Sequence, residues 1–158
     1  MGIIHARVDE RLIHGQVATV WTNLVGAKRI MVVNDLAVKD EIQIGALKMA
    51  KPPGVKLSIL SRKRAVEKIL AGDYEDDRVF LITKDIDDMA YLVDADIGLD
   101  AFNVGNISAQ SSESKAIKKS VALTPNDIDL IKALIAKGIK ITAQMVPTES
   151  GDSIEKFL

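Results

Sequence analysis

Short runs of β-branched and apolar residues alternate with helix-like segments along the chain, and this alternation constrains the fold more than any other feature. The apolar runs predict strands over residues 3–8, 29–33, 55–60, 78–83, 101–104 and 140–146, with a minor strand over 121–123. Apolar residues at helical spacing predict helices over residues 17–24, 39–50, 61–72, 84–93 and 124–138, and a short terminal helix over 153–158. Five or more strand–helix units in series predict an α/β fold with a single doubly wound, mainly parallel sheet and helices on both faces.

Residues that start and stop helices support these boundaries. Thr124 followed by Pro125 is the clearest helix start, with threonine as the N-cap and proline at the first helical position. Ser61 is expected to cap the third helix in the same way. The polar segment after Asn106, rich in serine and lysine, predicts a loop. We see no repeat or linker, so residues 1–158 are expected to form one domain.

Composition excludes several classes of function. The formal net charge of -1 argues against a nucleic-acid binder that depends on a broad basic field. The chain has no cysteine, which excludes disulfides and thiolate chemistry. No apolar run approaches the roughly 20 residues that cross a bilayer, and the first residues do not resemble a signal peptide. These features predict a cytoplasmic protein.

The junction between the first strand and the first helix concentrates residues that can do chemistry. It runs from Arg7 to Val17 and reads RVDERLIHGQV. In open α/β folds such a junction places side chains at the carboxyl edge of the sheet, where sites lie. A histidine in such a loop is more often a surface or capping residue than a catalyst, but the neighbours of His14 favour a nucleophile that carries a phosphoryl group.

Each neighbour has a physical reason to assist a phosphohistidine. Gly15 lets the backbone approach a ligand closely, and the helix that follows presents free N–H groups to an anion. Arg11 could hold phosphate oxygens at two points. Asp9 could bind one imidazole nitrogen and leave the other as the nucleophile. A histidine of ordinary pKa is largely neutral, and therefore nucleophilic, at neutral pH.

Other candidates follow later strands. Asn34 and Asp35 could line the pocket of His14, although an Asx turn explains them equally well. Gly105 and Asn106 could line it too and supply backbone N–H groups, but they form no dinucleotide-binding fingerprint. His5, inside the first predicted strand, is expected to be structural. Two histidines nine residues apart, without cysteine, predict no metal site, and no Walker lysine motif is present.

Two groups of surface candidates have alternative interpretations. Leu12 and Ile13 either close the edge of the sheet or are exposed and dock against a partner protein. Lys115, Lys118 and Lys119 either belong to a solvated loop or form a basic patch that meets an acidic partner or a phosphate.

The segment 7–17 closely resembles the active-site segment of the IIB component of the mannose/fructose/sorbose family of the phosphoenolpyruvate-dependent sugar phosphotransferase system. Further likeness lies in VND at 33–35, LKMAKPPGV at 47–55, NVGN at 103–106 and QMVP at 144–147, so it covers essentially the whole chain. Glu10 stands where an aspartate is the more familiar residue, a change that keeps the charge.

The resemblance implies that His14 accepts a phosphoryl group from a phosphohistidine of a IIA protein. His14 would then transfer it to a sugar delivered by the membrane components IIC and IID, which would keep the protein cytoplasmic and peripheral to the membrane. The same motif contains Arg7, Asp9, Arg11 and Gln16, which we expect to bind or orient the phosphate together with Gly15. This scheme requires no metal and no cofactor. The alternative is a non-catalytic α/β module that binds a nucleotide or a protein at the same edge.

Overall fold

The computed structural model describes residues 2–158, and within that range it has nine strands, five α-helices and two short 3-10 helices. The strands are β1 (Ile3–Asp9), β2 (Arg29–Val33), β3 (Lys56–Leu60), β4 (Val79–Thr83), β5 (Ala101–Asn106), β6 (Lys115–Lys118), β7 (Val121–Leu123), β8 (Lys140–Ala143) and β9 (Asp152–Ser153). The α-helices are α1 (Gly15–Val25), α2 (Glu41–Ala50), α3 (Arg62–Leu70), α4 (Ile86–Asp94) and α5 (Pro125–Ala136). The 3-10 helices are Ala37–Lys39 and Ile154–Phe157.

Seven strands form one sheet in the order β3-β2-β4-β1-β5-β8-β9. Every pairing in it is parallel except the one between β8 and β9, and β6 and β7 form a separate antiparallel pair. The predicted α/β fold with a mainly parallel sheet is therefore confirmed.

The two faces of the sheet carry two separate apolar cores. Successive side chains of a strand point to opposite faces, so Ile30 and Val32 of β2 belong to one core while Met31 and Val33 belong to the other. The first core packs against α1 and α2, and the second against α3, α4 and α5. Helices therefore cover both faces, as the doubly wound fold requires.

The strand register aligns the carboxyl ends of the central strands. Val33 of β2 pairs with Thr83 of β4, Thr83 pairs with Val8 of β1, and Val8 pairs with Val104 of β5. The residues that follow these positions therefore emerge at one level of the sheet. Among them is Asp9, the last residue of β1.

The predicted helix caps are present. The Thr124 side chain accepts from the Asp127 N–H, the Asp127 carboxylate accepts from the Thr124 N–H, and Pro125 begins the helix. The Ser61 hydroxyl accepts a hydrogen bond from the backbone N–H of Arg64 at the start of α3.

The structure differs from the prediction in the second half of the chain. The polar segment predicted as a loop contains β6, a strand of sequence KAIK that pairs with β7. The last long strand ends at Ala143 instead of residue 146, and the terminal helix is a 3-10 helix preceded by the two-residue β9. None of the helices over residues 2–158 combines the length and the apolar character that crossing a bilayer requires.

Candidate active site

The turn after β1 is organised by Asp9. Its backbone carbonyl accepts from the N–H of Leu12, and its Oδ1 accepts from the N–H of Arg11 at 2.9 Å. Leu12 has a φ of 58°, a left-handed conformation that is uncommon for a leucine. The backbone therefore turns sharply within three residues of Asp9, and this turn brings His14 back to the end of β1.

Leu12 and Ile13 hold this turn against the sheet. Both side chains are almost fully buried, at 2% and 4% exposure, in the core that also contains Trp21. The expectation that one of them is exposed for docking is wrong, and the alternative, that they close the edge of the sheet, is confirmed. The physical reason is apolar packing: both side chains belong to the buried cluster that also contains Ala18 and Trp21 of α1.

His14 contacts the Asp9 carboxylate through one imidazole nitrogen. Its Nε2 lies 2.8 Å from Oδ2 of Asp9, which is the kind of contact the sequence predicted. A carboxylate accepts hydrogen bonds, so this contact places the proton of a neutral imidazole on Nε2. The lone pair then lies on Nδ1, and the ring is held in one orientation with its side chain 11% exposed.

Arg7 binds the same oxygen of the Asp9 carboxylate as His14 does. Its Nη2 donates to Oδ2 of Asp9 at 3.1 Å, and its Nη1 donates to the backbone carbonyl of Gln144 at 3.1 Å. Burial lowers the pKa of Arg7, and the negative charges of Asp9 and Glu149 oppose that shift. Of the two expected roles, the geometry therefore favours orientation over phosphate binding, because the guanidinium is buried and engaged.

Gly105 makes room for this arginine. A Cβ atom at position 105 would lie 2.1 Å from Cζ of Arg7, far closer than two carbon atoms can approach. Gly105 belongs to β5, which is two residues longer than predicted, and the carbonyl of Asn106 accepts from the N–H of Glu10. The sequence did not reveal this role for the glycine.

An aromatic layer supports Arg7 from the α1 side of the sheet. The guanidinium carbon lies 5.5 Å from the ring centre of Trp21, whose Nε1 donates to the carbonyl of Met145 at 2.8 Å. His5 stacks on Trp21 with ring centres 4.8 Å apart. Burial, and secondarily the charge of Arg7, lowers the pKa of His5 from 6.5 to about 4. His5 thus serves as a neutral packing residue, in line with the structural role that we expected.

A loop over residues 144–150 completes the support, and sequence reasoning missed it. The Gln144 amide donates to the carbonyl of Glu149 at 2.8 Å, and the Glu149 carboxylate binds the ammonium group of Lys118. This ion pair joins the β6–β7 pair to the loop, and the Gln144 carbonyl of the same loop accepts the hydrogen bond from Arg7. Lys115 donates to the carbonyl of Phe157, so both lysine side chains have partners within the protein.

The start of α1 has the features of an anion site. His14 is the N-cap, and the first turn contains no acidic residue. Gly15 is exposed with a φ of 47°, and Gln16 beside it is exposed as well. The first N–H groups of a helix have no partner within the helix and carry a partial positive charge. Within residues 2–158 the exposed Arg11 side chain has no hydrogen bond or ion pair, so it is available to an anion.

Asn34 and Asp35 lie at the same edge but directly after β2, and β4 lies between β2 and β1. Oδ1 of Asn34 accepts from the N–H groups of Leu36 and Ala37, which confirms the Asx-turn interpretation. Oδ1 of Asp35 accepts from the N–H of Arg62. Their side chains are therefore engaged in neighbouring loops, and a contact with the His14 pocket stays a prediction.

The arrangement is suited to nucleophilic chemistry on an anion. Among the described residues it combines an imidazole whose Nδ1 has no hydrogen bond, a buried carboxylate–guanidinium pair that orients the ring, and a helix N-terminus beside Arg11, whose side chain has no partner there. Among residues 2–158, no three histidine, aspartate or glutamate side chains are grouped so that they could hold a metal ion.

Comparison with known proteins gives a consistent result over the whole chain. The family described as "PTS system sorbose subfamily IIB component" matches residues 3–158. The sorbose-specific EIIB component of Klebsiella pneumoniae is 33% identical over 154 residues, which cover 98% of this chain and 93% of that protein. The mannose-specific EIIAB component of Escherichia coli K12 is 31% identical over 144 residues, which cover 91% of this chain and 44% of that protein.

A solved structure agrees with these relatives. The crystal structure of the IIBSor domain of the sorbose permease from Klebsiella pneumoniae superposes with a TM-score of 0.92 at 33% identity. The match covers 99% of this chain and 95% of that domain. The similarity thus extends through all the elements that position His14.

Proposed function

Because the chain belongs to the sorbose subfamily of IIB components of the phosphotransferase system, we propose that His14 is the residue that carries the phosphoryl group in transfer. IIB components are phosphotransferases, and the non-catalytic alternative is not favoured by a family match over residues 3–158. The observation that carries the proposal is the 2.8 Å contact between Nε2 of His14 and Oδ2 of Asp9.

Nδ1 is the nucleophilic atom in this proposal. Its lone pair attacks phosphorus of the donor phosphohistidine, and the new N–P bond forms as the donor's N–P bond breaks. Asp9 keeps the proton on Nε2 and stabilises positive charge that develops on the ring. In the second transfer a sugar hydroxyl oxygen attacks the same phosphorus, the bond to Nδ1 breaks with its electron pair returning to Nδ1, and the hydroxyl proton passes to water.

Phosphoryl transfer depends mainly on positioning and on neutralising charge. Arg11 and the first N–H groups of α1 would contact the phosphoryl oxygens, with Gly15 and Gln16 forming the edge of the pocket. Arg7 lies behind Asp9 in the interior of the protein and acts as a positioning residue for it. The scheme uses neither a metal ion nor a cofactor, because the donor is itself a phosphohistidine.

The proposed partners are a IIA phosphoprotein as donor and the membrane components IIC and IID, which hold the sugar that receives the phosphoryl group. The mannose relative's name joins A and B in one component, which supports the link to IIA. In this role residues 1–158 act as one IIB domain on the cytoplasmic side of the membrane.

The test is phosphorylation by purified proteins. The chain is incubated with phosphoenolpyruvate, the general phosphotransferase proteins and a IIA protein, and bound phosphate is measured by mass spectrometry. The wild type should gain one acid-labile, base-stable phosphate, and His14→Ala should gain none. NMR of the phosphorylated imidazole should assign the phosphate to Nδ1. Phosphate retained in His14→Ala would place the nucleophile elsewhere.

A further inference from the structure

Helix α2 carries an apolar stripe that faces away from the sheet. Ile42 and Met49 are 87% and 89% exposed, the highest values among the large apolar side chains of residues 2–158. Gly45 and Ala46, also exposed, lie between them on the same face, because residues three, four and seven apart align along an α-helix. Leu47, on the opposite face, is buried in the core. We propose that this stripe is the contact surface of a homodimer, in which α2 of a second copy packs on it in antiparallel orientation.

The charges beside the stripe are complementary to those of a second copy. Glu41 is in the first turn of α2 and Lys48 is in its last turn, and both flank the stripe on the same side. Within residues 2–158 neither side chain has a hydrogen bond or an ion pair, and about 10 Å of helix separates them. In an antiparallel pair, Glu41 of each copy comes beside Lys48 of the other, so two ion pairs form across the contact. A parallel pair would put like charges at the same level.

The stripe is also complementary to itself in the size of its residues. In an antiparallel pair related by a two-fold axis between positions 45 and 46, Ile42 of one copy is level with Met49 of the other, and Gly45 is level with Ala46. The small residues then lie at the crossing point, where the two backbones are closest. Because packed helices cross at an angle, they diverge away from this point and leave space for the larger side chains. Both copies use the same surface, as a two-fold contact requires.

Gly45 has no role within the chain that explains a glycine. It lies inside α2, where glycine costs roughly 0.5–1 kcal/mol relative to alanine. Its φ is not positive, and a Cβ atom built on it would meet nothing within 4 Å. Glycine on an exposed helix face lets another backbone approach closely. The residue is therefore consistent with a second helix that approaches α2 from outside.

An apolar groove extends this surface towards the edge of the sheet. It has a volume of about 520 Å³ and lies between α2 and the edge strand β3, with Val38, Ile44, Leu57 and Ile59 in its lining beside Lys48. The side chains of β3 are at most half-buried. A standard interface covers about 800 Å² on each copy, more than one face of a short helix supplies. The groove adds apolar area next to the stripe.

Other surfaces and other occupants fit less well. A surface of anionic lipid binds helices that are rich in lysine and arginine, whereas residues 40–51 contain two acidic and two basic residues. Val20 and Leu24 form a smaller exposed pair on α1, but α1 contains no charged residue that could select a partner. Leu36 is a single exposed leucine in the loop before α2. The stripe on α2 combines exposed apolar residues with charges that match its own copy.

Sedimentation equilibrium of the full chain measures the proposed dimer. A contact of this size predicts a dissociation constant of about 10–100 µM, and the wild type should change from monomer to dimer over that range. Met49→Gln keeps the length of the side chain but removes its apolar contact from both copies, so the dissociation constant should rise at least about tenfold. Leu70→Gln, at 60% exposure at the end of α3, is the matched control and should dimerise as the wild type does. Both variants should keep the wild-type melting temperature in dilute solution.

Exchange of the two charges tests the orientation. Glu41→Lys and Lys48→Glu should each raise the dissociation constant about three- to tenfold, because each replaces two ion pairs by two like-charge pairs. The double variant Glu41→Lys/Lys48→Glu should return to within about twofold of the wild type, since both pairs form again in reverse. Within the helix the exchange is unfavourable, because it puts a cation at the N-terminus and an anion at the C-terminus. Recovery of the dimer therefore cannot result from a more stable α2.

Three outcomes would overturn the inference. The first is a wild type that stays monomeric up to about 1 mM. The second is a dimer that Met49→Gln leaves intact, and the third is a double charge variant that dimerises no better than the single ones. Sedimentation with vesicles of anionic lipid adds a check: a protein that binds them through Met49 and is monomeric without them would assign the stripe to the membrane surface instead. None of these measurements involves His14, so the inference stands or fails separately from the proposed function.

Discussion

His14 and Asp9 are joined by a 2.8 Å contact between Nε2 and Oδ2, and Asp9 has no exposed surface. The same oxygen also accepts from Nη2 of Arg7. One buried carboxylate oxygen thus connects the imidazole to the interior of the protein. The orientation of His14 therefore depends on two buried residues, Asp9 and Arg7.

Asp9→Asn should slow phosphorylation of His14 by about 10- to 100-fold, the usual effect of losing a partner that orients an imidazole. The amide has only one acceptor oxygen, so it cannot serve Arg7, the Arg11 N–H and His14 together. The initial rate with saturating phosphorylated IIA measures this effect. Asp40→Asn is the control, because asparagine caps α2 as well as aspartate does. A wild-type rate in Asp9→Asn would show that the contact does not orient the nucleophile.

Gly105→Ala should lower both stability and transfer. The added Cβ would lie 2.1 Å from Cζ of Arg7, so the guanidinium must leave Asp9 or β5 must shift. Overpacking of this kind costs about 1–3 kcal/mol, which chemical denaturation can measure. Gly45→Ala is the matched control: nothing lies within 4 Å of its added Cβ, and it should stabilise α2 by about 0.5–1 kcal/mol. Equal stability of the two variants would contradict the tight contact.

The sequence predicted the secondary-structure elements better than the pairing and order of the strands. The central strands β2 and β4 are continuous apolar runs because both of their faces are buried, and such runs are easy to recognise. Strand β6 has the sequence KAIK, and it was missed because its lysines make it resemble a solvated loop. Strand order was also out of reach, since pairing joins segments that are far apart in sequence.

For the candidate site too, the sequence predicted the residues that are close together in the chain but not their contacts with distant segments. The segment 7–17 contains His14, Asp9 and Arg11; its resemblance to the IIB active-site segment was the main basis for predicting a phosphohistidine, and the chemistry of these residues supports that prediction. The contacts of Arg7 with Gln144 and Gly105 were hidden, because a close approach between distant segments leaves no local pattern. A weak signal existed: Arg7 and Asp9 are two residues apart in a strand, and therefore lie on one face.

Leu12→Ala should destabilise the protein by about 2–5 kcal/mol, the cost of deleting a buried leucine side chain. Leu12 is 2% exposed in the core beside α1, so the loss is one of packing and not of docking. Leu24→Ala, at 64% exposure in α1, should change the unfolding free energy by less than about 0.5 kcal/mol. Urea denaturation measures both. A stable Leu12→Ala that transferred slowly from IIA would restore the docking interpretation.

His5→Phe should reduce the loss of stability in acid. The folded-state pKa of His5 is lowered from 6.5 to about 4, by burial first and the charge of Arg7 second. Between these values the unfolded chain binds more protons than the folded protein, so the unfolding free energy falls as pH decreases through that range. This pKa shift corresponds to roughly 3 kcal/mol of unfolding free energy, which is present above pH 6.5 and is lost as the pH falls towards 4.

Phenylalanine keeps the stacking on Trp21 and removes a buried Nε2 that has no hydrogen-bond partner among the described residues. Urea denaturation at pH 7, 6, 5 and 4 should therefore show that the unfolding free energy of the variant falls less steeply with decreasing pH than that of the wild type. Parallel curves for the two proteins would mean that His5 takes up its proton in the folded protein as easily as in the unfolded chain.

Arg11→Lys should slow phosphoryl transfer without changing stability. The Arg11 side chain is exposed beside the start of α1, while its backbone N–H, which the substitution keeps, bonds to Asp9. Lysine retains the charge but loses the planar group that holds two oxygens at once. If the guanidinium binds the phosphoryl group during transfer, kcat should fall by about tenfold. The melting temperature should stay within about a degree, because substitutions at the surface usually change the unfolding free energy by under 0.5 kcal/mol.

Lys84→Arg supplies the reciprocal control, since Lys84 is an exposed cation at the end of β4, on the same edge. It adds a guanidinium near the site but not at the turn before His14, and the transfer rate should not rise. Arg11→Gln should be slower than Arg11→Lys, because it removes the charge as well as the two-point grip. Equal kcat in Arg11→Lys, Arg11→Gln and the wild type would remove Arg11 from the transfer step. The helix N-terminus would then be the main group that neutralises the phosphoryl charge.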